Sequence, residues 1–160
     1  MSASGGLSFS QLPVGHQLWD ALTITETHVV TAAGIFNDPG PNHVNQLQAE
    51  ASRWGAPIAH GTLLSGVMMG VIGNALGPMI VAMLELTSTF VAPVHVGDTL
   101  ITRWEVAEAT PKERFDGGGI VVFEGEGLDS DATTVVRSRV VLAVGEKAPW
   151  DAAEHVRSRR

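Results

Sequence analysis

The segment FNDPGPNHV, residues 36–44, places a carboxylate and an imidazole five positions apart, at Asp38 and His43. A carboxylate is anionic at neutral pH, whereas an imidazole can either donate or accept a proton there. When such a pair is held at a fixed separation, it can activate a water molecule by general acid and base catalysis. Pro39 and Pro41 predict a rigid loop in place of a regular helix, which would fix that separation.

Asp38 also has an ordinary structural interpretation. An aspartate before proline and glycine commonly closes a turn or caps one, and the residues alone favour that role. The other histidines, at positions 16, 28, 95 and 155, show no metal-ligand spacing with each other or with acidic residues. We therefore expect no metal site.

The composition is that of one globular domain with a large apolar interior. The chain has 160 residues, of which 44% are hydrophobic and 17% charged. Its net charge of -7 argues against a nucleic-acid partner, which requires a basic surface. The absence of cysteine excludes disulfides and thiolate chemistry, and the first dozen residues lack the pattern of a signal peptide. We expect a cytoplasmic protein.

The first half of the chain has helical patterns. Thr25 is a candidate N-cap for a helix to about Phe36, with apolar residues recurring at helical spacing, and residues 44–54 can form a shorter helix. Residues 61–84 lack charge and are long enough to span a membrane, but glycines, Asn74 and Pro78 divide them. This pattern favours a buried helix of about four turns over residues 61–76, followed by a buried strand.

The remaining segments alternate as strands do. They cover residues 16–24, 79–91, 99–108, 120–128 and 134–144. The last four follow one another through short turns, which predicts an antiparallel sheet with the long helix packed on one face. This is an α+β fold. The second face of the sheet would need cover, which suggests dimerisation.

Three motifs in order resemble a known family. They are DPGPNH, which contains Asp38 and His43; IAHGTLLSG, residues 58–66; and PVHVGDTL, residues 93–100. From about Leu18 to Val144 the chain resembles the MaoC-like, R-specific enoyl-CoA hydratases and dehydratases. The resemblance implies a single hot-dog fold over residues 15–146, in which the antiparallel sheet wraps around a long central helix. A flexible lead, 1–14, and a polar tail, 147–160, would flank it.

The resemblance also implies a reaction. Asp38 and His43 would be the catalytic pair of a hydro-lyase that adds water to, or removes it from, an acyl thioester of CoA or of a carrier protein, without another cofactor. Gly61 begins the long helix, where free N–H groups stabilise a developing oxyanion. His60 and Ser65 are the further candidates for oxyanion and substrate binding.

This chain departs from the family pattern at three positions. The usual asparagine two residues after the aspartate is Gly40, the apolar residue before the histidine is Asn42, and a serine of the central helix is Met69. Two alternatives therefore stay open. One is a hot-dog acyl-CoA thioesterase, although the usual helix carboxylate is absent from residues 61–84. The other is a non-catalytic, acyl-thioester-binding partner subunit. We expect a homodimer or larger homo-oligomer and no membrane partner.

Overall fold

The fold consists of five strands and four helices in a computed structural model that describes residues 6–148. In chain order they are β1 (Gln17–Thr23), α1 (Glu26–Phe36), α2 (Pro41–Val44), α3 (Gln46–Ala51), α4 (Gly61–Leu76), β2 (Ile80–Phe90), β3 (Thr99–Pro111), β4 (Gly119–Leu128) and β5 (Thr134–Val144). The predicted α+β class and long helix are confirmed. Helix α3 is shorter than the helix predicted over residues 44–54.

The five strands form one antiparallel sheet in the order β1-β3-β4-β5-β2. Side chains alternate along β3, where Leu100, Thr102, Trp104 and Val106 are buried. The opposite face of the sheet carries ion pairs, including Arg103–Glu126. This polar face needs no cover, so the reason given above for dimerisation is wrong.

The sheet order corrects the predicted meander. Strand β2 pairs with β5 and not with β3, its successor in the sequence. The residues between them, 91–98, cross to the opposite edge, where Gly97 N donates to Ile24 O over 2.7 Å and Ile24 N donates to Asp98 O over 2.8 Å. Local turn signals do not reveal this crossover, because strand pairing is decided by contacts far apart in the sequence.

Helix α4 packs its apolar side chains against the sheet. Leu64, Met68, Val71, Ile72 and Leu76 are buried in the core. The indole Nε1 of Trp104 in β3 donates to the main-chain oxygen of Met68 over 2.9 Å. By length and composition alone the segment Gly61–Met79 could cross a membrane. Only one side of α4 is buried, and no residue of β2 is buried, so the predicted buried strand is wrong and packing within this chain accounts for only part of the uncharged run.

The predicted cap of α1 is confirmed, since the side chain of Thr25 accepts from His28 N. The buried side of this helix consists of Val29, Ala32 and Ala33, while Val30 and Phe36 are 56% and 45% exposed. Apolar spacing therefore located the helix correctly but did not identify the side that faces the core.

The N-terminal lead differs from the flexible segment predicted for residues 1–14. Leu12 is fully buried, Leu7 N donates to Ala75 O over 3.0 Å, and Phe9 N donates to Gly145 O over 3.1 Å. Residues 6–12 thus pack against the ends of α4 and β5. The predicted polar tail lies almost wholly outside the described residues.

Candidate active site

The loop that carries Asp38 begins where α1 ends. Asn37 adopts the left-handed conformation, with φ of 52°, and turns the chain away from the helix axis. The Oδ1 atom of Asp38 accepts from Gly40 N over 3.3 Å, which closes a short Asx turn. Pro41 then begins the one-turn helix α2. The prediction that prolines exclude a helix is wrong here, because proline suits the first helical position.

His43 is half-buried, and its hydrogen bond to the main chain decides that Nδ1 carries a hydrogen. Its Nδ1 lies 2.7 Å from the main-chain oxygen of Ile58. A carbonyl oxygen only accepts, so Nδ1 carries the hydrogen and Nε2 is the nitrogen that can take up a proton. His43 is thereby prepared to exchange protons through Nε2.

His60 lies against the inner side of this loop. Its Nε2 donates to the main-chain oxygen of Asp38 over 2.9 Å. Its ring stacks on the ring of His43, with 3.8 Å between centroids and 22° between planes. Within residues 6–148 the buried Nδ1 of His60 has no hydrogen-bond partner.

One ligand atom each from Asp38, His43 and His60 lies within 4.8 Å of the others, which raises the question of a metal ion. An imidazole binds a metal in its own ring plane, at about 2.0–2.1 Å for zinc. Because the two rings are stacked and nearly parallel, their in-plane lone pairs do not converge at that distance. The arrangement suits proton transfer better than joint binding of an ion.

Gly40 borders the space between the carboxylate and the imidazole. A Cβ atom at this position would lie 3.1 Å from Asp38 Oδ1 and 3.9 Å from His43 Nε2. The nearest atom of the imidazole is Cδ2, at 3.3 Å, so the carboxylate oxygen and the Cδ2–Nε2 edge of His43 border the same small space, which the hydrogen of a glycine leaves open. The structure thus brings the predicted pair, Asp38 and His43, close together.

A cavity of about 270 Å³ adjoins His43 and Gly61. Its wall is mostly apolar and includes Trp54, Ile58, Leu64 and Phe90. A second cavity, of about 350 Å³, also borders His43 and is lined by Val29, Val44, Gln46 and Pro57 among others. His43 thus stands at the junction of two spaces, one of which reaches the first residue of α4.

The first turn of α4 supplies main-chain N–H groups that have no partner within the helix. Gly61 is its first residue, and a Cβ there would lie 2.8 Å from the ring of Phe90. The glycine thus allows Phe90 to close over the start of the helix. Phe90 is 48% exposed, so its ring has room to move.

The hydroxyl of Ser65 makes hydrogen bonds within the protein. Its hydroxyl lies 3.1 Å from Gly61 O and 3.0 Å from the hydroxyl of Ser88, which in turn lies 2.8 Å from that of Ser138. A contact of Ser65 with substrate stays a prediction. Ser65 ties the first turn of α4 to β2 and β5.

Sequence reasoning missed two walls of the site. The sequence gives neither Trp54 nor Phe90 a role in the site, although both line the cavity beside His43. Their position depends on the loop before α4 and on the end of β2, which no local motif joins. A depression of about 500 Å³ crosses the charged face of the sheet among Arg103, Glu124 and Arg139, and none of the residues of the candidate site line it.

Comparisons with known proteins identify the family of this chain. The family described as MaoC like domain matches residues 11–122. An (R)-specific enoyl-CoA hydratase of Rhodospirillum rubrum is 31% identical over 82% of this chain and 92% of that enzyme. A 3-hydroxybutyryl-CoA dehydratase of Methylorubrum extorquens is 33% identical over 76% of this chain and 82% of its own.

A solved structure establishes the fold. The Mycobacterium tuberculosis protein RV0216, described as a double hot-dog fold, superposes with a TM-score of 0.79 at 21% identity, over 92% of this chain and 46% of its own. The chain therefore corresponds to one of the two hot-dog units of RV0216. Since the family match covers well over half of its residues, the protein belongs to the MaoC-like family of hydratases and dehydratases.

Proposed function

We propose that the protein adds water to the double bond of an α,β-unsaturated acyl thioester, or removes it in reverse, with Asp38 and His43 as the catalytic pair. The observation that carries the proposal is the small space beside Gly40, which Asp38 Oδ1 and the Cδ2–Nε2 edge of His43 border together. The names of the two curated relatives support the reaction class and, for one, R stereochemistry.

A water molecule between the two side chains would supply both groups that are added. In the hydration direction its oxygen forms a bond to the β-carbon of the substrate. One proton of this water passes to the Asp38–His43 pair, and the pair delivers a proton to the α-carbon. The carboxylate and the neutral His43 can each accept a proton, which is the requirement of general acid and base catalysis.

The third requirement is a donor for the thioester oxygen, on which negative charge develops. We assign this role to the Gly61 N–H, at the positive end of α4 and on the wall of the cavity that His43 borders. Loss of one such donor costs about 3–4 kcal/mol in transition-state stabilisation. The acyl group would occupy the apolar cavity beside Trp54 and Leu64.

The proposal includes three further expectations from the sequence. The substrate is an acyl thioester of CoA or of a carrier protein, no further cofactor takes part, and a cytoplasmic location is expected. A thioesterase gains no support, because α4 carries no carboxylate. A partner-dependent, non-catalytic role is excluded if the purified chain turns over enoyl-CoA by itself.

The test is hydration of crotonyl-CoA by the purified chain. We expect Asp38→Asn and His43→Ala each to lower kcat by about 10²–10⁴-fold, the usual contribution of a general acid or base. Asp20→Asn, an exposed carboxylate on β1, is the matched control and should retain the wild-type rate. Full activity in both site variants would show that the pair is assigned wrongly. Release of free thiol in place of hydration would favour the thioesterase.

A further inference from the structure

His60 is 1% exposed and lies behind the two residues assigned to catalysis. Its Nε2 bonds to the main chain of Asp38, and its ring stacks on that of His43. Building on the hydration reaction proposed above, we propose that His60 is a positioning residue. It sets the placement of Asp38 and His43 relative to each other and to Gly61, and it does not touch the substrate.

The hydrogen bond to Asp38 joins the loop to the start of α4. Asp38 N donates to Ala33 O over 3.0 Å, which ties the residue to the end of α1, whereas the bond from His60 ties it to the start of α4. His60 is the N-cap of α4 and directly precedes Gly61. One side chain therefore fixes the distance between the carboxylate that activates water and the N–H that receives the thioester oxygen.

The stacked rings restrain His43 from a second direction. The hydrogen bond from Nδ1 to Ile58 O holds one atom of the ring, about which the rest of the imidazole can still tilt. The flat face of His60, 3.8 Å away, limits that tilt. Together the two contacts direct Nε2 of His43 toward the space beside Gly40.

Packing alone does not account for an imidazole at position 60. A buried polar atom without a partner destabilises the folded state, and Nδ1 of His60 has none within residues 6–148. A phenylalanine would stack on His43 without this cost. It would lack only the N–H that bonds to Asp38, which identifies that bond as the reason for a histidine.

Two variants separate the two contacts. His60→Gln keeps a donor near Asp38 O but removes the ring, whereas His60→Phe keeps the ring but removes the donor. Since misplacing catalytic groups by about 1 Å costs up to about 100-fold in rate, we expect each variant to lower kcat for crotonyl-CoA by about 10- to 100-fold. Binding of butyryl-CoA, which cannot be hydrated, should be unchanged. His28→Gln, at the start of α1, is the control and should keep the wild-type kcat.

A second measurement does not depend on catalysis. Nitrogen-15 NMR of the imidazoles should show His43 with its hydrogen on Nδ1 in the wild type, and partial loss of that form in His60→Gln, because a ring that is free to tilt makes a weaker hydrogen bond to Ile58 O. If the wild type hydrates no enoyl thioester while this change occurs, the proposed reaction fails but the positioning role stands. Unchanged kcat together with an unchanged His43 spectrum in both variants overturns the positioning role. The positioning role is also overturned if unfolding, seen as a lower melting temperature, fully explains the loss of kcat.

Discussion

At the scale of single residues, Gly40 is the position that tests the water site most directly. Its main-chain angles, φ of -52° and ψ of 137°, are open to any residue, so alanine introduces no main-chain strain. The added methyl group would lie 3.1 Å from Asp38 Oδ1, in the space assigned to water. We expect Gly40→Ala to lower kcat by about 10- to 100-fold with the fold intact, measured by steady-state hydration and by the far-ultraviolet spectrum.

The matched control is another glycine with open surroundings. A Cβ at Gly34 in α1 meets no atom within 4 Å among the described residues. Gly34→Ala should therefore keep the wild-type kcat and raise the free energy of unfolding by about 0.5–1 kcal/mol, because alanine favours the helix. A Gly40→Ala enzyme as active as Gly34→Ala would mean that water is bound elsewhere.

At the scale of elements, local patterns predicted the segments but not their contacts. The long helix was predicted over residues 61–76 and is found at Gly61–Leu76, since the signals for its start and end are local. The pairing of β2 with β5 was missed because those strands are about 50 residues apart. The pair Asp38 and His43 was found by spacing. The bond from His43 to Ile58 and the stack on His60 arise only when the loop returns to α4.

The three-serine network gives an element-scale prediction about stability. Ser88 on β2 contacts Ser65 on α4 and Ser138 on β5, so its hydroxyl joins three elements. Each buried hydrogen bond contributes about 0.5–1.5 kcal/mol, and we expect Ser88→Ala to lower the free energy of unfolding by about 1–3 kcal/mol. Chemical denaturation measures this, with the exposed Ser130→Ala as control. Equal stability of the two variants would contradict a structural role for the network.

The carboxylate of Glu146 accepts hydrogen bonds from the N-terminal segment, and these bonds predict that stability depends on pH. Hydrogen bonds from the side chain and main chain of Ser10, with a further one from Ser8, lower the pKa of Glu146. A carboxyl whose folded pKa is lowered stabilises the fold above its unfolded pKa, about 4.3, and loses that contribution as pH falls through the folded pKa. Glu146→Gln should therefore lower the melting temperature slightly at pH 7. The difference from wild type should disappear below the folded pKa, and a difference that persists there would exclude this linkage.

At the scale of the whole molecule, the two edges of the sheet decide how copies can associate. Strands β1 and β2 are the edges, and the face away from α4 is polar. On β2 the apolar side chains Val81, Met83 and Leu84 are 46–55% exposed. An exposed edge with apolar side chains favours pairing with another strand. We therefore expect the predicted homodimer to pair along β2.

Pairing along β2 predicts the mass of the particle in solution. Two added charges, Met83→Lys with Leu84→Lys, would be buried without partners in a β2–β2 interface, which costs several kcal/mol per ion. We expect the wild type to be dimeric, or a multiple of dimers, by light scattering at micromolar concentration, and the double variant to give a smaller particle. Thr110→Lys adds a charge at an exposed position of β3 and should leave the mass unchanged. If the double variant keeps the wild-type mass, the copies associate through a different surface, because two lysines cannot be accommodated along that edge.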